Sequence, residues 1–126
     1  MRAGPQAERF GQFVVEKLRD RPLNFFDAVL AGRMKSERVK ALGTELVALT
    51  EEQKGVVRRC VQMAPDHAIH DFLFALGEAH DFGTEIEVLV DGENIVGQSD
   101  GLAGELFGEK GWLTKYSKHG PEVDPA

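Results

Sequence analysis

The sequence predicts an α+β fold that is mainly helical, with four to five helices and one antiparallel β-hairpin. Three observations carry this. Apolar residues recur at helical spacing through most of the first eighty positions. A Thr-Glu-Glu-Gln capping box opens one of the helices. A single alternating stretch, Glu85-Ile-Glu-Val-Leu-Val90, is followed by Asp91-Gly92 and a second short alternating run. The 126 residues suffice for one core and not two, so one domain is expected over about residues 7–120, with residues 1–6 and 121–126 as flexible termini.

Helix one is predicted over Ala7–Asp20, where Phe10, Phe13, Val14 and Leu18 supply an apolar stripe and Pro22 stops it or opens the next element. A short helix, Asn24–Leu30, follows with Phe25, Phe26, Val29 and Leu30 on its inner face. Ser36 reads as the N-cap of the next helix, whose stripe is Val39, Leu42, Leu46 and Val47. Thr50 and Gln53 form the capping box of helix four, which carries Val56, Val57, Cys60 and Val61 and is ended by Pro65. Asp66 caps helix five, with Ile69, Phe72, Leu73 and Leu76 at i, i+3, i+4 and i+7. In the hairpin a two-residue I′ turn pairs Val90 with Glu93 and Val88 with Ile95. That places Ile86, Val88, Val90 and Ile95 on the core face. Leu102–Phe107 and the Trp112/Tyr116 pair each suggest a further short helical segment.

Charge is segregated along the chain. Residues 60–109 contain eleven Asp or Glu and no Lys or Arg, whereas residues 1–59 hold twelve basic against eight acidic side chains. A negative field of this kind favours a basic protein partner and disfavours nucleic acid, whose phosphates need a basic surface. The candidate partner-binding residues are Glu85, Glu87, Asp91, Glu93, Asp100, Glu105 and Glu109. Phe74 joins them as a large aromatic on the helix-five face turned away from the core stripe. An aromatic there calls for cover, from another element of the domain in the first instance and from a partner otherwise.

Catalytic motifs are sparse. A nucleophile elbow, a Walker loop and a dinucleotide fingerprint are all absent, and no cofactor is expected. Cys60, the sole cysteine, sits on an apolar stripe and reads as a small core residue. The one alternative is metal chemistry. His67, His70 and Asp71 share the second face of helix five, His67 and Asp71 at the i, i+4 spacing that can hold an ion, with His80 as a further ligand if the chain folds back. This would support a metal-dependent hydrolase or a metal-binding protein. No apolar run approaches the length that spans a bilayer, the N-terminus has no secretory pattern, and one unpaired thiol suits a reducing compartment. Together these lead to a cytoplasmic expectation.

Leu49-Thr-Glu-Glu-Gln53, then Ile69-His-Asp-Phe-Leu73, then Glu105-Leu-Phe107 and Trp112 form an ordered pattern over about residues 45–115. It resembles that of a family of small uncharacterised bacterial proteins with an LSxEQ helix start, an IHDxL helix, a hairpin and an EL-aromatic tail before a Trp. The resemblance implies no activity, only that His70 and Asp71 do more than cap a helix. By size and charge, the analogy is to immunity proteins that neutralise a basic toxin without catalysis.

Overall fold

A computed structural model describes residues 4–83, 86–99 and 101–121. It shows the expected mainly helical α+β class. In chain order the elements are α1 (Pro5–Val14), a π-helical segment (Val15–Asp20), α2 (Arg21–Leu30), α3 (Glu37–Val47) and α4 (Glu51–Asp81). Then come β1 (Leu89–Val90), β2 (Glu93–Asn94), 3₁₀ turns at Val96–Gln98 and Leu102–Glu105, and α5 (Trp112–Tyr116). Among the described residues no helix is long and apolar enough to cross a membrane.

Two expected breaks are absent, both at prolines. The first two predicted helices run together: Asp20 and Arg21 keep right-handed helical angles, and the chain is helical from Pro5 to Leu30. The physical reason lies in the buried positions. Ala7, Gly11, Val15, Arg19 and Leu23 are all buried, at a strict spacing of four. A regular α-helix would rotate such a series by roughly 160° over four steps. The wider π turns remove part of that rotation and keep the series facing the core. They also lie immediately before Pro22, which has no N–H to donate to the preceding turn. The same four-residue period leaves Phe13 and Leu18 exposed, contrary to the predicted stripe.

Pro65 does not end a helix either. It lies inside α4, a single 31-residue helix roughly 46 Å long. The capping box forms as expected: Thr50 Oγ1 accepts from the Gln53 amide at 3.1 Å, and the Thr50 amide donates to Gln53 Oε1 at 2.9 Å. Asp66 is not a cap. It is buried and accepts two hydrogen bonds from Arg19, from Nε at 2.8 Å and from Nη2 at 3.3 Å. Arg19, with 0% exposure, also donates to Ser117 Oγ at 2.8 Å, to the Pro121 carbonyl at 3.0 Å and to the Gly120 carbonyl. All five guanidinium N–H groups are thus used. Next to it Asp20 accepts from the Ser117 hydroxyl at 2.6 Å and the Lys118 amide at 3.0 Å. A buried arginine and its neighbour therefore moor the far end of the chain to the middle of both long helices.

The core gathers at one end of the molecule. Ala7, Val14 and Val15 meet Ile69, Leu73 and Leu76 of α4, and the irregular C-terminal third closes over them with Ile95, Val96, Leu102, Leu106, Trp112 and Leu113. Gly11 lets the Trp112 indole approach: a Cβ there would lie 2.3 Å from two ring carbons. The hairpin has the expected register, Val90 opposite Glu93, and both Asp91 (φ 51°) and Gly92 (φ 80°) take the positive φ of a I′ turn. Its ladder is shorter than predicted. Val88, Val90 and Ile95 turn inward, but Ile86 is 63% exposed.

The other end is thinly covered. The predicted stripe of α3 does not form a core: Gly43 is the one buried residue of that helix, and Leu42 and Val47 are exposed. Between Glu51 and Pro65 no residue of α4 is buried. Cys60 is exposed, which corrects its reading as a core residue. Phe72, expected in the helix-five stripe, is 50% exposed. For α3 and the first half of α4 the packing reason is shared: α4 continues past the C-terminal third that covers its other half, and among the described residues only α2 and α3 accompany it there, whereas Phe72 lies in the covered half, between buried Ile69 and Leu73.

Candidate interaction surface at the acidic end

The C-terminal half of α4 has a buried face and an outward face. Ile69, Leu73 and Leu76 point into the core; His67, Asp71, Phe74 and Glu78 are exposed. His70 sits at the border, half-buried. Its ring stacks on Phe107, with centroids 5.7 Å apart and planes 29° from parallel. His70 and Phe74 are helical neighbours at i, i+4. Phe74 is 56% exposed and Phe107 37%. The three rings thus make an aromatic patch, and Asp71 lies at its edge with Oδ1 3.4 Å from His70 Nδ1. Of the two kinds of cover expected for Phe74, the domain itself does not provide one.

The other acidic candidates divide. Glu87, Glu93 and Glu109 are exposed. Leu89, between them on the hairpin, is 57% exposed, so apolar and acidic side chains alternate there too. Asp91 is exposed but forms an ion pair with Arg9 of α1, which interrupts the negative field at the hairpin tip. Glu105 is half-buried and accepts from Ser99 Oγ at 3.0 Å, a role within the loop. Glu85 and Asp100 lie outside the described residues.

The histidines do not converge. His80 is three turns beyond His70, roughly 15 Å along the helix, and its ring faces Gly97. Among the described residues no group of three or more His, Cys, Asp or Glu is placed to hold a metal ion.

Beside the patch is a cleft of about 340 Å³ lined by Glu8, Glu105, Phe107, Lys110 and Lys115. Glu8 of this cleft has a displaced pKa. Burial raises the Glu8 pKa, but hydrogen bonds from Lys115, Tyr116 and Trp112, together with the Lys115 charge, outweigh it and hold it below the ordinary glutamate value. The carboxylate accepts from Trp112 Nε1 at 2.9 Å and from the Tyr116 hydroxyl at 2.6 Å, and pairs with Lys115. Glu8 therefore anchors α5 to α1. By linkage, this anchor stabilises the fold above the usual glutamate pKa and is lost as pH falls through the lowered value.

Burial, then the Glu8 hydrogen bond and charge, push the Tyr116 pKa up to about 12. Tyr116 is the only tyrosine, so an absorbance titration at tyrosinate wavelengths reads this group alone. The expected midpoint is near 12, with stability lost as pH climbs from the unfolded value of about 10 toward it. Glu8→Gln should bring the midpoint down toward 10; a wild-type midpoint already near 10 would contradict the anchor.

Phe107 entered the sequence pattern only as part of a motif, and its site role was missed. Its position after Leu106, a fully buried neighbour in a glycine-rich stretch, fixes where its ring emerges. Arg19 was also missed, although it occupies the four-residue series of buried positions. Comparison with protein-family models, curated proteins and solved structures finds no match to this chain.

Proposed function

We propose that this chain is a non-enzymatic protein-binding module of the immunity or inhibitor type, which uses its acidic end against a basic protein such as a toxin. The observation that carries the reading is the exposed aromatic patch of Phe74, Phe107 and His70, set in the stretch of chain that has acids and no Lys or Arg. Exposed rings with acids close by have the make-up of an interface, here with Lys110 and Lys115 beside Phe107 and Arg9 on Asp91 as the basic groups among them: the rings exclude water and supply affinity, while the exposed acids steer an oppositely charged surface into place. Masking a cationic site needs only shape and charge. The metal-dependent hydrolase alternative has less behind it, since His67, His70 and Asp71 gather no further ligand among the described residues.

The test uses a triple variant, Phe74→Asp, Glu87→Lys and Glu93→Lys, all at exposed positions where folding tolerates change. Wild type is expected to retain a basic protein from its own cell, released as salt rises; the variant should lose it by about a hundredfold or more in affinity. A variant that holds the same partner equally well contradicts the reading.

A further inference from the structure

We propose that the outer edge of the hairpin is a strand-addition site, which takes an extended segment of the partner protein with Lys or Arg alternating with apolar residues. The inference rests on the function proposed above and names how that partner docks. It starts from the ladder. Val90 pairs with Glu93, and the Ile95 amide donates to the Val88 carbonyl at 3.1 Å. The main chains of Val88 and Val90 therefore face β2. Opposed residues of an antiparallel ladder alternate between hydrogen-bonded and non-hydrogen-bonded pairs, so the main chain of Leu89, opposite Asn94, faces the other way. Glu87 shares that direction by the same period of two. β2 is the one sheet neighbour of β1 among the described residues, and there the amides and carbonyls of Glu87 and Leu89 have no hydrogen-bond partner.

The side chains leave this edge accessible. Ile86, Glu87 and Leu89 are all exposed. The strand-like alternation reaches back to Ile86, yet the ladder holds only Leu89 and Val90 on this side. An added strand would complete it and cover Ile86 and Leu89, the arrangement of β-augmentation. The charges say what kind of strand fits. The hairpin carries Glu87, Asp91 and Glu93 and no Lys or Arg. Arg9 of α1 neutralises Asp91, which leaves Glu87 and Glu93 exposed and without an ion pair among the described residues. A strand with basic side chains beside Glu87 complements this edge. A second copy of the chain does not: in any antiparallel register centred on residues 87–89, Glu87 lies opposite or diagonal to Glu87 or Asp91 of that copy, and like charges across a ladder repel.

The probe is a synthetic heptapeptide of alternating lysine and valine, titrated into isotope-labelled protein. The amides of Glu87 and Leu89 should shift and become protected from hydrogen exchange, while the Lys54 amide in α4 does not change. A peptide of the same composition with its lysines in one block should bind at least about tenfold more weakly, because it cannot alternate with the pleat. Leu89→Pro removes the outward amide and spares the ladder, since proline is tolerated on an edge where the N–H faces away from the neighbouring strand. Leu89→Ala loses the same side chain and keeps the amide. The proline variant should lose the alternating peptide, and the alanine variant should weaken it less than about tenfold. The protection pattern in wild type needs no variant and stands even if Leu89→Pro does not fold. Unshifted Glu87 and Leu89 amides, equal binding of the two peptides, or equal loss in the two variants would overturn the proposal. A basic cellular protein that the triple variant loses and Leu89→Pro keeps would overturn strand addition alone, whereas one that the triple variant also keeps would overturn the function proposed above.

Discussion

Arg19→Met is expected to destabilise the protein by about 3–5 kcal/mol, the cost of leaving one partner of a buried ion pair in place. The Asp66 carboxylate would lose a bidentate guanidinium, and Ser117, Gly120 and Pro121 would lose the donors that hold them. Because domains of this size have only about 5–15 kcal/mol to lose, urea unfolding should shift strongly. Hydrogen exchange gives the local readout. The Lys118 amide, bonded to Asp20, should exchange early, before the amides of α4. Arg19→Met combined with Asp66→Leu should be more stable than Arg19→Met alone, since the buried carboxylate that has lost its guanidinium is gone. Equal stability of wild type and Arg19→Met would mean that the buried pair does not tie the C-terminal segment down.

The second large effect is expected at Gly11. An alanine there puts a Cβ 2.3 Å from the Trp112 ring, which is fully buried and fixed through Nε1 to Glu8. The indole cannot move aside, so overpacking should cost about 2–3 kcal/mol, more than the roughly 1 kcal/mol that alanine gains over glycine in a helix. Gly77→Ala is the control: nothing lies within 4 Å of its added Cβ, so it should stabilise by about 0.5–1 kcal/mol. Trp112→Phe in the Gly11→Ala background should recover part of the loss by making room. If both alanine variants change the thermal midpoint alike, the close approach of α1 and α5 is not what Gly11 serves.

The sequence discloses local features more readily than distant ones. The Thr50 capping box, the Asp91-Gly92 turn and the Val90–Glu93 register depend on residues a few positions apart, and each forms as expected. What stayed hidden depends on contacts between distant residues. Pro22 and Pro65 read locally as breaks, yet tertiary packing carries the helices through them. Asp66 reads locally as a cap because its partner, Arg19, is 47 positions away. The apolar periodicity of α3 was legible, but periodicity alone does not say whether the covering surface belongs to the same chain. The candidate site was legible in part: Phe74 and the hairpin acids stood out by type and charge, whereas the stacking of Phe107 on His70 required the fold.

In the proposed function, the Phe74 face of the acidic end meets a basic protein. The most direct measurement is photo-crosslinking from that position in the cell that makes the chain, with a photoreactive phenylalanine analogue at Phe74 and, as a control, at Phe13, which is 59% exposed. The expected result is one covalent adduct from Phe74, to a protein of basic isoelectric point, abolished when Glu87 and Glu93 are both changed to Lys. No adduct from Phe74, or the same adduct from Phe13, would contradict it.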